Sequence, residues 1–216
     1  MQVISVNVGL PKDLPVGDWF VPSGIFKTPV HGSVCVRTLN LDGDGQADLT
    51  VHGGQDKAVY LYPSEHYLFW QQELGRQLEW GSLGENLTTA GITEENICAG
   101  DQLQIGSVVL QVTQPRLPCF KLAAKFHRKD IIETFVASRK TGFYTRVLHE
   151  GSLQAGDSIV LPQRDQVQLS IHELAGLYFN KQAPRAEIER ALSVTALSKS
   201  WREYFQSMLT GSRQPE

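Results

Sequence analysis

The segment Gln114-Pro115-Arg116-Leu117-Pro118-Cys119-Phe120 holds a thiol on a stiffened turn beside a guanidinium. A strand pattern precedes it, Ser107-Val108-Val109-Leu110-Gln111-Val112-Thr113, rich in β-branched residues. Pro115 and Pro118 are expected to stop the ladder, because neither ring offers a backbone N–H and each restrains the residue before it. Beyond the cysteine, Lys121–His127 reads as a short helix, which places Cys119 at a helix N-terminus. The helix dipole and Arg116 both favour the thiolate, the form that attacks electrophiles and binds soft metals. A small buried hydrophobe is the other role open to a lone cysteine.

Anion-binding chemistry is offered elsewhere. In His52-Gly53-Gly54-Gln55-Asp56-Lys57 the paired glycines let backbone N–H groups approach a ligand, while His52 and Lys57 add donors and charge. The same segment also suits a plain glycine hairpin. In Gly81-Ser82-Leu83-Gly84-Glu85-Asn86-Leu87, Glu85 and Asn86 could stand at a pocket rim or merely order their own loop. Arg146, among Tyr144, Val147 and Leu148, needs an anionic partner if buried, either a protein carboxylate or a ligand phosphate.

Other chemistries lack their residues. The carboxylates of Asp42–Asp48 miss the EF-hand pattern, since Ala47 and Gly53 fall where Gly and Glu are needed. A turn with Asp side chains capping local N–H groups is expected there instead. Walker, G-x-S-x-G, H-E-x-x-H and C-x-x-C patterns and a full Rossmann fingerprint are absent. His31 and Cys35 lack two further nearby ligands for structural zinc. A metal-free transferase or hydrolase pairing Cys119 with His52 or His149 stays open.

The elements that must carry these groups follow from periodicity and punctuation. Strands are expected at Gln2–Val8, Val34–Leu39 (with Cys35 a core thiol), Ala58–Tyr62 and Gly142–Leu148. Asp13–Thr28 reads as loop with at most a short strand. A helix capped by Ser64 should run to Leu74 with Tyr67, Leu68 and Gln71 on one face and His66 on the surface. Another, capped by Asp130, should run to Lys140 with Ile131, Phe135 and Val136 inward. Ala99-Gly100-Asp101 and Ala155-Gly156-Asp157 echo each other as turns ahead of strands, and Cys98 before the first reads as structural. After Pro162 three short helices are expected: Ile171–Phe179 capped by Ser170, Arg185–Leu192 opened by Pro184, and Trp201–Leu209. Their apolar residues exceed what three such helices can hide among themselves, which calls for a barrel surface or a second copy to cover them.

The 216 residues, 41% apolar and 20% charged with net charge −3, suit one large domain and a small appendage. That charge offers no case for a nucleic-acid duplex or an anionic membrane surface. No apolar run nears the roughly 18 residues of a membrane span, and the start lacks a basic leader. Three scattered cysteines point to a reducing compartment, so a cytoplasmic location is expected.

Pro115-Arg116-Leu117-Pro118-Cys119 resembles the signature of MOSC-domain proteins, named for the C-terminal domain of molybdenum cofactor sulfurases. His52–Ala58, Gly84–Thr88, Ala99–Asp101 and Gly142–Val147 support the likeness in order, and the chain is most similar to the YiiM-like branch. The resemblance implies a mostly-β α+β fold: a MOSC-type β-barrel with peripheral helices over 1–163 and a three-helix segment over 168–210. It further implies a molybdenum cofactor (Mo-molybdopterin), ligated by Cys119 and held by His52, Gly53, Gly54, Lys57, Glu85, Asn86, Arg116 and Arg146. Members similar to this chain reduce N-hydroxylated compounds, including hydroxylaminopurine bases, to amines. No flavin, haem or iron–sulfur motif is visible, so a separate electron-donating reductase is expected, as is a homodimer. A non-catalytic cofactor or sulfur carrier is the alternative within the family.

Overall fold

Gln2–Val8 is rich in β-branched residues and forms the first strand, β1, where a register shift between Val3 and Ser5 lets Val3 and Val6 both go inward. The computed structural model describes residues 1–47 and 53–211; Asp48 and His52 lie outside the described residues. After β1 come β2 (Lys12–Val16), β3 (Trp19–Ser23), β4 (Thr28–Val30), β5 (Val34–Val36) and β6 (Val59–Pro63). Then follow α1 (Tyr67–Leu74), β7 (Leu87–Ala90), β8 (Gln102–Ile105), β9 (Val108–Pro115), α2 (Phe120–Phe126) and α3 (Ile131–Ser138). The described chain ends with β10 (Phe143–His149), β11 (Gly151–Leu153), β12 (Ile159–Gln163), α4 (Ile171–Phe179), α5 (Arg185–Ser193) and α6 (Lys199–Thr210).

Eight strands form one sheet in the order β12-β8-β9-β10-β6-β7-β1-β4. The sheet curls until β1, next to its β4 edge, reaches the segment ahead of β12 at the other edge. Gln2 bridges Ser158, Val3 N–H donates to Asp157 O at 2.9 Å, and Ile159 N–H donates to Met1 O at 2.9 Å. A single bridge, rather than a full ladder, thus joins β1 to the β12 side, which leaves little open edge there. The neighbouring pairs are antiparallel except β6–β7, which is parallel and needs the crossover containing α1. The two echoed turns each place a glycine at positive φ, Gly100 at +97° and Gly156 at +94°. They feed β8 and β12, which pair with each other.

Several local expectations give way to longer-range partners. The stretch read as loop holds the β2–β3 hairpin, turning tightly at Gly17 and Asp18. Pro15 and Pro22 disguise it, and they are tolerated because this pair forms its own two-stranded sheet. Pro115 is the last residue of β9, still standing opposite Phe143, so the ladder ends there as the ring requires. Cys35 is half-buried, while its neighbour Val36 takes the core position. Ser64 and Asp130 make no capping bond; Asp130 pairs with Arg128 instead. Leu68 is 65% exposed, so α1 packs through Tyr67 and Trp70. His66 is buried, 2.7 Å from a Glu94 carboxylate oxygen. Asp42 pairs with Arg37, and Asp44 takes the Gly9 N–H at 3.0 Å, so neither caps its own turn. Cys98 is buried, and burial pushes its thiol up.

Ser170 caps α4 in a complete capping box with Glu173. The three helices then dock on the barrel. Leu174, Ile188, Trp201 and Phe205 share one buried cluster with Val3, Leu61, Leu103 and Val112. The apolar surplus of the tail is therefore covered by the barrel of the same chain, and it no longer calls for a second copy. Its charges alternate in sign, with Arg185–Glu189, Arg190–Glu173 and Lys199–Glu203 paired. No helix among the described residues is long and apolar enough to cross a membrane.

Candidate functional site

At the end of β9 the chain crosses from Arg116 to Cys119, the extended N-cap residue of α2. Cys119 is half-buried and stands on the wall common to two cavities, as do Lys57, Leu117 and Tyr144. One cavity is narrow, about 110 Å³; the other is a cleft of about 820 Å³.

The narrow chamber is strongly cationic. Lys27, Lys57, Arg116 and Lys121 line it against one carboxylate, Asp44. Lys27 and Asp44 form a buried ion pair, and Asp44 also accepts from Asn86 Nδ2 at 2.9 Å. Lys121 Nζ donates to Pro22 O at 3.1 Å, tying α2 to the hairpin. Arg116 is buried: one Nη donates to Leu83 O at 3.1 Å, and the guanidinium lies 5.1 Å from the Tyr60 ring centroid. Burial works against that charge, but Tyr60, Tyr144 and Cys119 around it prevail and hold its pKa above the usual arginine value. Burial pushes the Tyr60 and Tyr144 phenols up as well, so both stay protonated.

Behind the chamber, Lys125 donates to Ile25 O at 2.8 Å, and burial lowers its pKa from 10.5 to about 8. Below about pH 8 the ammonium is charged in both the folded and unfolded chain, so the cost of burying it stands in full. Above that pH the folded chain releases the proton first, and stability should rise until the unfolded lysine also titrates near 10.5. The gain should be on the order of 1 kcal/mol, given partial contact with water. Urea midpoints at pH 7.5 and 9.5 check this: the rise attributable to Lys125 should vanish in Lys125→Met. An equal rise in that variant would refute it.

The broad cleft has two walls of different origin. The barrel supplies Gly53, Gly54, the helical turn Gln55–Lys57, Gln114 and Cys119. The tail supplies Tyr178, Lys199, Trp201, Glu203 and Tyr204. A clamp ties the walls together. Asp56 Oδ1 lies 2.8 Å from an Arg146 Nη, the same nitrogen donates to Ala196 O at 2.8 Å, and Lys199 N–H donates to Asp56 Oδ2 at 3.4 Å.

The residues singled out by sequence therefore separate. Cys119, Gly53, Gly54 and Lys57 line the cleft, and Asn86 and Arg116 line the chamber. Gly54 adopts φ +91°, but its N–H already donates to Gln46 Oε1 at 2.8 Å. Glu85 lines neither cavity. Its buried carboxylate takes the Tyr67 hydroxyl and the N–H groups of Gly81 and Leu83, so it orders its own loop. Arg146 also lines neither, since its anionic partner is Asp56. His52 lies outside the described residues. Among the described residues no histidine lines either cavity, which removes support from a Cys119–His149 pair. None of them forms a His/Cys/Asp/Glu group able to hold a metal ion. Lys27, Lys121, Gln114 and the tail wall escaped the sequence reading; only Tyr144, beside Arg146 on one strand, carried a hint.

Residues 48–160 match the MOSC domain, and residues 169–211 match the YiiM-like 3-alpha helix domain. The chain is 44% identical to the uncharacterized protein YflK of Bacillus subtilis, over 94% of this chain and 92% of that one. It is 34% identical to a protein named Reductase from Gibberella moniliformis, over 70% of this chain and 28% of that protein. The crystal structure of YiiM from Geobacillus stearothermophilus superimposes with a TM-score of 0.82 at 39% identity, covering 96% of this chain and 98% of that one. MOSC domains are associated with molybdenum cofactor binding. These matches over a curled sheet and a docked three-helix tail place this chain in the MOSC-domain family, in its YiiM-like branch.

Proposed function

We propose that the protein is a molybdenum-cofactor-dependent reductase that converts N-hydroxylated compounds, such as 6-N-hydroxylaminopurine bases, to amines. The observation that carries this reading is the position of Cys119, whose side chain stands on the wall shared by a cationic chamber and a roomy cleft. The donor set suits the group. A thiolate is the soft ligand that molybdenum takes, and Lys27, Lys57, Arg116 and Lys121 suit an anionic portion of a pterin. Gly53 and Gly54 allow close approach at the cleft rim. When bound, the cofactor supplies two-electron chemistry at its metal. The reaction consumes two electrons and two protons, cleaves the N–O bond, and yields the amine and water. The chain's own part is to hold the thiolate at the end of a stiff turn, to neutralise the cofactor's charge, and to keep Tyr144 protonated beside the site. The electrons come from a separate reductase. The name of the Gibberella relative agrees with an oxidoreductase.

Protein expressed with ample molybdate should carry molybdenum near one per chain. It should turn over a hydroxylaminopurine with an artificial electron donor. Absence of the metal would leave a metal-free cysteine enzyme. Metal without turnover would leave a carrier.

A further inference from the structure

The cofactor reading leaves one cleft group without an occupation. Gln114 retains 2% of its exposure and lines the cleft, yet among the described residues its Oε1 has no hydrogen-bond partner. Its Nε2 is engaged by Pro115 O at 3.4 Å. An unpaired buried acceptor is costly to the fold, so its occurrence in a cleft points to a ligand donor. Tyr178 and Tyr204 stand in the same cleft, 4.2 Å apart at 28°, with the Tyr204 hydroxyl donating to Tyr178 O at 2.9 Å. That bond fixes α6 to α4 within the tail, and the Asp56–Arg146 clamp, through Ala196 O and the Lys199 N–H, ties the tail wall to the barrel wall. The barrel wall therefore carries the soft donor, Lys57 and the orphan acceptor, and the tail wall of the same cleft is aromatic.

We infer that Gln114, Tyr178 and Tyr204 bind the body of the substrate. Gln114 Oε1 accepts an N–H of the substrate, and the tail tyrosines pack against the part of the molecule remote from the reacting N–O bond. This rests on the proposed reductase activity and adds specificity-determining residues to it. The three-helix tail is thereby a selecting wall, and Gln114 a substrate contact rather than a structural one.

Gln114→Leu separates these roles, because the two predict opposite signs. Replacing an orphan buried acceptor by an apolar side chain of similar size should leave the melting temperature equal or higher. It should also weaken adenine, the amine product, by about tenfold in isothermal titration of the metal-assayed protein. KM for the hydroxylaminopurine should rise by a similar factor with kcat little changed. Hydroxylamine, which has no body to recognise, should be reduced as by the parent. Gln114→Glu, which keeps an acceptor, should restore part of the adenine affinity, and Tyr204→Leu should weaken adenine while sparing hydroxylamine. Unchanged adenine affinity and KM in Gln114→Leu would overturn the inference, as would a parent protein that does not bind adenine. Adenine binding with these variant effects but no turnover would strike the reductase reading alone.

Discussion

Cys119→Ser should lose its molybdenum and at least about 100-fold of its reductase activity, while Cys35→Ser keeps both. Even groups that only orient a metal ligand change affinity or activity by roughly 10–100-fold, so loss of the ligating sulfur should cost no less. A serine oxygen is a harder donor and poorly replaces a thiolate. Neither change should threaten the fold, since both thiols are half-buried and Cys119 makes no capping bond. Cys35 makes the sharper control because it lies on β5 opposite Ser152, where it lines neither cavity. Elemental analysis and turnover on the three proteins decide it. Equal loss in both variants, or full metal in Cys119→Ser, would remove Cys119 from its assigned role.

Truncation after Gln163 should abolish the fold as well as the activity. Leu169, Ile171, Leu174, Ile188, Trp201 and Phe205 are buried in the cluster that also contains the barrel strands. Stripping roughly 1.5–3 kcal/mol of burial from each amounts to on the order of 10 kcal/mol, as large as the whole stability of an ordinary domain. The truncated chain should bind a hydrophobic dye and lose its near-ultraviolet circular dichroism. A shortened protein that melts cooperatively near the parent's temperature would show the tail to be an ornament.

What could be read from sequence were the features made by neighbours in the chain. Cys119 at a helix start, the Gly-Asp turns before β8 and β12, and the Ser170 cap all follow from local punctuation. The misread residues are those whose partners lie far along the chain. His66 looks like surface until Glu94 closes over it, and Arg146, open in sequence to a protein carboxylate or a ligand phosphate, meets Asp56. Glu85, left open between a pocket rim and its own loop, differs in being met by close neighbours, the N–H groups of Gly81 and Leu83. The second wall of the cleft could not be foreseen, because no periodicity tells which face of α6 will stand opposite Pro118 and Cys119. The interleaved charges of the tail are legible in sequence, and in the fold they meet as the pairs Arg185–Glu189, Arg190–Glu173 and Lys199–Glu203.

The bridge between Gln2 and Ser158 sets an order of events during synthesis. The first strand leaves the ribosome early, and it can be stapled to β7 only after Ala90 has emerged and to the β12 side only after Ile159. The second wall follows later still, since Tyr204 must be out before the cleft exists. If the cleft holds the proposed cofactor, its capture would wait until α6 docks, and half-made chains would be spared a reactive group. Arrested chains ending before Leu197 should therefore retain none when presented with loaded donor, whereas released ones should.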